Sequence, residues 1–279
     1  LYLLIIILLH LPSVQRFVGA QVADALAKKL GTKVRIERVD LGFLNHFIVD
    51  GLVIDDQNGR QMAKASRVAA QVDLLSLVNG DKVRISSAQI FGLNAQLYRA
   101  TPDAKANFQF VIDSLKSRDT THQTPLDLRI QSLIIRHGNV RYDLLSAPAS
   151  PNRLNFNHLN VSNISAHINL NTLTDNRTDI NVRNLSFAEA SGLDVRNLRL
   201  HLKANKQLAE ISNLLVQLPQ SKINVPAYKV RFNDKSKGFN FATAHHLLRI
   251  EKSYLTPSDI ACLLPSLQTF NQKLYLNKF

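Results

Sequence analysis

The sequence predicts a mainly β fold: an antiparallel sheet built from repeated one-faced strands, with few short helices. Three observations predict it. Apolar and polar residues alternate with period two along several segments, a two-part strand unit recurs from one end to the other, and helical spacing shows in few places. At 279 residues and 45% hydrophobic, with Gly 10 and Pro 9, the chain can build a sizeable core and is neither disordered nor collagen-like.

Residues 1–9 are wholly apolar and the chain begins without Met. A spanning helix needs about 20 apolar residues, so this run is too short by itself, and no A-x-A-type cleavage site comes after it. It is read as the end of a truncated membrane anchor over residues 1–11, with a buried strand as the alternative. Pro12 and Ser13 break the run, and Ser13 is placed to cap the next element. Val14, Phe17, Val18, Val22, Ala25, Leu26 and Leu30 then recur at steps of three and four, with Gly31 as a stop signal. The spacing predicts an amphipathic helix over 12–31.

From residue 32 to residue 279 the period changes to two. Val68, Ala70, Val72 and Leu74 alternate with polar or small residues, as do Phe91, Leu93, Ala95 and Leu97, and again Leu198, Leu200, Leu202 and Ala204. A finer unit recurs at 34–41, 83–90, 128–135, 154–161, 180–187, 193–200, 209–216 and 223–230. In it, two alternating apolar residues are followed by two polar or small residues and then two more alternating apolar ones. The middle pair is Gln131-Ser132, Arg183-Asn184, Arg196-Asn197 or Ser212-Asn213 in four of the copies. A step of three resets the alternation, so the strand must bulge or turn there to keep both halves on one face. Residues 108–116 fit a short helix or a strand. Thr256-Pro257-Ser258-Asp259 opens a helix to about Leu264, and turn residues place loops at 101–106, 117–124 and 146–152.

The net charge of +13 is spread along the chain, without a basic tract, zinc-finger spacing or aromatic cluster of the RNA-binding kind, which argues against nucleic acid. Spread charge fits exposed strand faces and is compatible with life beside anionic lipid. The single Cys262 has no thiol partner for a disulfide or a Cys-rich zinc site and reads as a small core residue. No catalytic residue, metal site or cofactor is expected. His245 and His246 are adjacent, so on a strand they point to opposite faces. Asp55-Asp56 ahead of Gln57-Asn58-Gly59 reads as hairpin-turn chemistry rather than a carboxylate pair. Phosphate loops, dinucleotide fingerprints and nucleophile elbows are absent from the sequence, and no enzyme is expected.

The apolar run, the amphipathic helix and Val34-Arg35-Ile36-Glu37-Arg38-Val39-Asp40-Leu41-Gly42-Phe43-Leu44 together resemble the N-terminal signature of AsmA-like proteins. Ala65-Ser66-Arg67 leading into Val72-Asp73-Leu74-Leu75 resembles the TamB branch of that family, as does Ile85-Ser86-Ser87-Ala88-Gln89-Ile90-Phe91-Gly92-Leu93. So do Pro125-Leu126-Asp127-Leu128-Arg129-Ile130, the stretch 133–143, and Leu255-Thr256-Pro257-Ser258-Asp259-Ile260. The resemblance spans nearly the whole chain. It implies an elongated, groove-shaped antiparallel sheet with an apolar interior, incomplete at its C-terminal end. It implies a single-pass anchor in a bacterial inner membrane, with the bulk of the protein in the periplasm.

The function the resemblance implies is an envelope bridge that conducts phospholipid acyl chains between inner and outer membrane, in partnership with an outer-membrane barrel protein of the TamA type. Alternation along the strands proposes Val72, Leu93, Leu97, Leu133, Ile135, Leu159, Val161, Leu198, Leu200 and Leu202 as groove-lining residues. A scaffold or chaperone offering strand edges to outer-membrane barrels is the second reading, and a closed β-sandwich the third.

Overall fold

The computed structural model describes residues 11–41, 46–72, 83–116, 126–150, 153–174, 176–232, 243–263 and 274–276. The chain divides into two compact units, Leu1–Pro148 and Ala149–Phe279.

The first unit opens with helix α1, Pro12–Leu30. Pro12 takes the first helical position, where its missing N–H costs nothing, and extended Leu11 is the cap residue. Ser13 therefore lies inside the first turn and does not cap it, contrary to expectation. Gly31 ends the helix in the left-handed conformation at φ 65°, its N–H returning to the Ala27 carbonyl. The inward face is not the whole apolar stripe. Gly19, Ala23 and Leu30 are buried, and Gly19 lies against Val39 and Ile36. Phe17 is 65% exposed because it stands about 200° around the helix from Gly19. Small residues on the inward face let α1 approach the strands closely, and the Gln15 side-chain amide donates to Asp40.

The strands of this unit are β1 (Val34–Arg35), β2 (Arg38–Leu41), β3 (His46–Asp55), β4 (Gln61–Val72), β5 (Val83–Phe91), β6 (Asn94–Arg99) and β7 (Leu126–Leu144), with helix α2 at Gln109–Lys116. Their order is β1-β3-β4-β5-β7, with β2 on β3 and β6 on both β4 and β7. The expected single strand over 91–97 is broken. Gly92 sits at φ 63°, where a side chain would meet Ser66 Oγ at 2.5 Å, and the break separates β5 from β6. Both β5 and β6 run parallel to β7, which corrects the all-antiparallel expectation. The cause is the connection through α2, a crossover that returns the chain in the same direction, as a hairpin cannot. Residues 108–116, open between helix and strand in the sequence, are resolved by α2.

The second unit holds β8 (His158–Leu173), β9 (Arg177–Glu189), β10 (Asp194–Asn205), β11 (Leu208–Gln217), β12 (Lys222–Arg231), β13 (His245–Leu255), the short helix α3 (Pro257–Ile260) and β14 (Leu274–Leu276). Each strand pairs antiparallel with the next. The expected bulges are where the sequence put them. Between the pairs Leu185–Leu198 and Val182–Leu200, Arg183 and Asn184 face the single residue Arg199. Arg196-Asn197 falls at the shift between Val195 and Leu198, whereas of Ser212-Asn213 only Asn213, with Leu214, falls in the shift between Arg199 and His201, Ser212 being the partner of His201. In the first unit, Gln131-Ser132 sits in the irregular stretch of the β5–β7 ladder. His137, Asn163 and Asn213 adopt positive φ at 55°, 54° and 54°, as extra residues inside strands do.

Two expectations fail in this unit. Residues 154–161 are not one strand unit: Asn155 Oδ1 accepts from the Asn157 N–H, closing a turn, and β8 starts at His158. The helix at Thr256 runs only to Ile260, and the Thr256 hydroxyl donates to the Gln220 carbonyl instead of capping it. Cys262 is buried and free, as a small core residue. Residues 1–10 of the expected anchor lie outside the described residues. Among the described residues no helix is long and apolar enough to cross a membrane.

Candidate functional site

Cross-strand pairing turns the period-two pattern into rows. In the second unit Leu170, Ile180, Leu202, Ile211, Tyr228 and Leu248 are successive partners from β8 to β13. Six strands at about 4.8 Å spacing make this row about 24 Å long. A parallel row links Ala166, Leu185, Leu198, Val216 and Ile223, and between the two stand Ile168, Val182 and Leu200. Ile180, Leu198, Leu200, Leu202, Ile211 and Tyr228 are all half-buried, and Leu248 is 48% exposed. The face is not uniform, since Ile164, Ala166, Val195, Val225 and Val230 are buried.

The alternate positions carry charge in alternating sign. Asp179 pairs with Lys203, Lys203 with Glu210, and Glu210 with Lys229, whose Nζ lies 2.9 Å from the Glu210 carboxylate. His201 Nε2 is 2.7 Å from Asp179 Oδ1, which also accepts from Asn171 at 2.9 Å. These contacts, His201 first, hold the Asp179 carboxyl below its usual range. Along β10, Val195, Leu198, Leu200 and Leu202 are buried or half-exposed, while Arg196, Arg199 and Lys203 are exposed. One face is apolar and the other wet.

The first unit has the same construction with a cover at one end. Val39, Val49, Val68, Ile90 and Ile135 are successive partners across β2, β3, β4, β5 and β7. Val39 is 2% exposed next to α1 and Val49 8%, whereas Val68, Ile90 and Ile135 are half-exposed. One residue along, Arg38, Asp50 and Arg67 are partners. Asp50 accepts from Arg38 at 2.7 Å and from Arg67 at 2.8 Å. Arg67 foremost holds the Asp50 carboxyl below its usual range.

The proposed groove residues thus fall in two units. Leu198, Leu200 and Leu202 lie in the rows of the second. Leu159 and Val161 are half-exposed at the start of β8, with Val161 opposite Glu189. In the first unit Leu133 pairs with Ala88, Ile135 with Ile90 and Leu97 with Tyr142. Leu93 occupies the break between β5 and β6 rather than a strand position, its carbonyl accepting the Asn139 N–H at 2.7 Å. Val72 ends β4, and its side chain lies outside the description. Ile168, Leu170, Ile211 and Tyr228 were not among the proposed residues. Alternation from Ile164 to Leu170 is a signal that could have found two of them.

The acidic residues of the turns hold the backbone rather than converge on a site. Burial works to raise the Asp56 carboxyl, but N–H groups of Arg60 and Asn58 and the Tyr98 hydroxyl outweigh it and hold it low. Asp55 accepts both nitrogens of Arg35 at 2.8 and 2.9 Å. Glu189 likewise is held low by Ser191 and backbone N–H groups against the opposing effect of burial. His246 stacks on Tyr228 at 6.0 Å between ring centroids, while His245 is opposite Arg231. Among the described residues no group of three potential metal ligands converges. Comparison with protein-family models, curated proteins and solved structures finds no match to this chain.

Proposed function

We propose that the chain holds phospholipid acyl chains along its apolar sheet faces, as part of a membrane-tethered envelope protein of the kind it resembles, the AsmA/TamB family. The observation that carries this reading is the row from Leu170 to Leu248, aliphatic or aromatic on every one of six neighbouring strands, half-buried from Leu170 to Tyr228 and exposed at Leu248. An acyl chain laid along such a row finds apolar contact on each strand, and the hydroxyl of Tyr228 is already taken up by His246 Nδ1 at 2.8 Å, so the chain can slide. Each Å² of apolar surface that the contact removes from water is worth about 25 cal/mol. The anchor and a periplasmic location belong to the same proposal: Leu11 and Phe17 are 44% and 65% exposed on the first turns of α1, beside the apolar residues 1–9.

The test is lipid retention. Purified full chain should carry extractable phospholipid, and Leu200→Asp should lose most of it while keeping its circular dichroism spectrum, because a charge in the row is penalised whenever an acyl chain covers it. Lipid-free wild-type protein, or a Leu200→Asp variant with full lipid content, would contradict the reading.

A second reading, a scaffold for outer-membrane barrel assembly with a barrel partner of the TamA type, is favoured by one observation. Strand β14 pairs only with Ser253, Tyr254 and Leu255, so among the described residues the outer edge of β13 over 245–252 has no strand partner. Open edges accept added strands.

A further inference from the structure

On the wet face of the second unit, the β9 bulge sets Arg183 and Asn184 opposite Arg199 of β10, so two arginines face each other across one strand pair. Like charges directly opposite destabilise a sheet. Here the neighbouring carboxylates are already engaged, Asp179 by His201 and Asn171 and Glu210 by Lys229. The Arg199 side chain makes no hydrogen bond or ion pair with any described residue. Arg183 is held in place from one side: in the amide orientation that satisfies both groups, Asn169 oxygen accepts from Arg183 Nε and Nη2 at 3.1 Å each. Arg183 and Arg199 line one shallow depression together with Asn181, His201 and Asn213 and the apolar Val182 and Leu200. The amides of Asn181 and Asn213 can donate hydrogen bonds, while the Nε2 of His201 is turned to Asp179.

We propose that this depression binds a phosphate-type anion, either a free phosphate-bearing molecule or the phosphate of a lipid headgroup. A tetrahedral anion between Arg183 and Arg199 turns a repulsion into two charge-assisted contacts, and the planar guanidinium fork matches its oxygens. The chain's net charge of +13 draws such anions toward the surface. The site does not rest on the acyl-chain reading. It rests on Arg183 and Arg199, although Val182 and Leu200, which stand between the apolar rows, border the same depression.

Inorganic phosphate is titrated into the full chain by calorimetry, and flotation is measured with vesicles of phosphatidylcholine alone and with phosphatidylglycerol added. Arg183→Gln and Arg199→Gln should each weaken phosphate binding about tenfold, the value of one lost charge-assisted contact. Lys203→Gln removes the same charge from the same face, outside the lining of the depression, and should change it less than about twofold. Loss of phosphatidylglycerol-dependent flotation in the two arginine variants identifies a headgroup as the source, and loss of phosphate binding alone identifies a soluble ligand. Absence of binding by either probe overturns the proposal. So does equal weakening by Arg199→Gln and Lys203→Gln, which reports only net charge. All three side chains are exposed or bonded only at the surface, so unchanged melting curves separate binding from folding.

Discussion

The two units build the same kind of one-faced strand and finish it differently. In the first, α1 lies on β1 and β2, and the row beginning at Val39 is sealed there at 2% exposure before opening toward Ile135. In the second, the only described helix is the four-residue α3, and the row through Ile180, Leu202 and Ile211 is half-buried along its length rather than sealed. A covered apolar residue contributes to folding. One left open is available to a ligand. The same alternation in sequence therefore serves stability where a helix arrives and leaves the proposed binding face where none does.

The sharpest test of that contrast pairs two substitutions. Val39→Asp places an unpaired charge beneath α1 and should lower stability by about 4 kcal/mol, read from urea denaturation. Leu202→Asp, reachable by water, should cost about 1 kcal/mol in the same assay. Equal losses would mean that the second unit is covered as well.

Asp56→Ala comes next in size. It strands the Tyr98 hydroxyl and the N–H groups of Asn58 and Arg60, which the carboxylate accepts at 2.8 to 2.9 Å, and should cost about 2 kcal/mol. The same experiment on Asp179, which is less deeply buried and accepts from His201 and Asn171 side chains rather than from backbone N–H groups, should read less.

Both units should weaken in acid. The carboxyls of Asp50, Asp56, Asp179 and Glu189 all titrate below their ordinary values in the folded protein. Their contribution is complete above the unfolded values of about 4 and is lost as pH falls through the lower folded ones. Stability measured from pH 7 downward should hold to about pH 5 and then decline. Asp50→Asn and Asp56→Asn should each flatten the decline.

The smallest effect belongs to the charge ladder. Lys229→Gln breaks the 2.9 Å contact with Glu210 at the surface and should cost below about 1 kcal/mol, less still in high salt.

The strands and α1 were legible because each writes its own period. Gly31 marked the helix end, and Arg183-Asn184, Arg196-Asn197 and Ser212-Asn213 marked bulges through a step of three that would otherwise flip the strand over. Strand direction was not legible. β5 and β7 carry the same alternation whichever way they pair, and only α2, whose segment fits two periods, decides that they are parallel. Of the site, Leu198, Leu200 and Leu202 were legible as one face of one strand. The row they join was not, because the partner of each residue depends on bulges in neighbouring strands. Arg183 and Arg199 lie 16 positions apart and meet only through such a bulge.

Whether the apolar face of the second unit takes acyl chains is tested most directly by photo-crosslinking in membranes containing radiolabelled phospholipid. Crosslinking side chains are placed singly at Leu200 and Leu202, and at Arg199 and Lys203 as the opposite face. Lipid adducts confined to Leu200 and Leu202 are the predicted result. Adducts at all four positions alike, or none at any, in protein that keeps its fold, would contradict it.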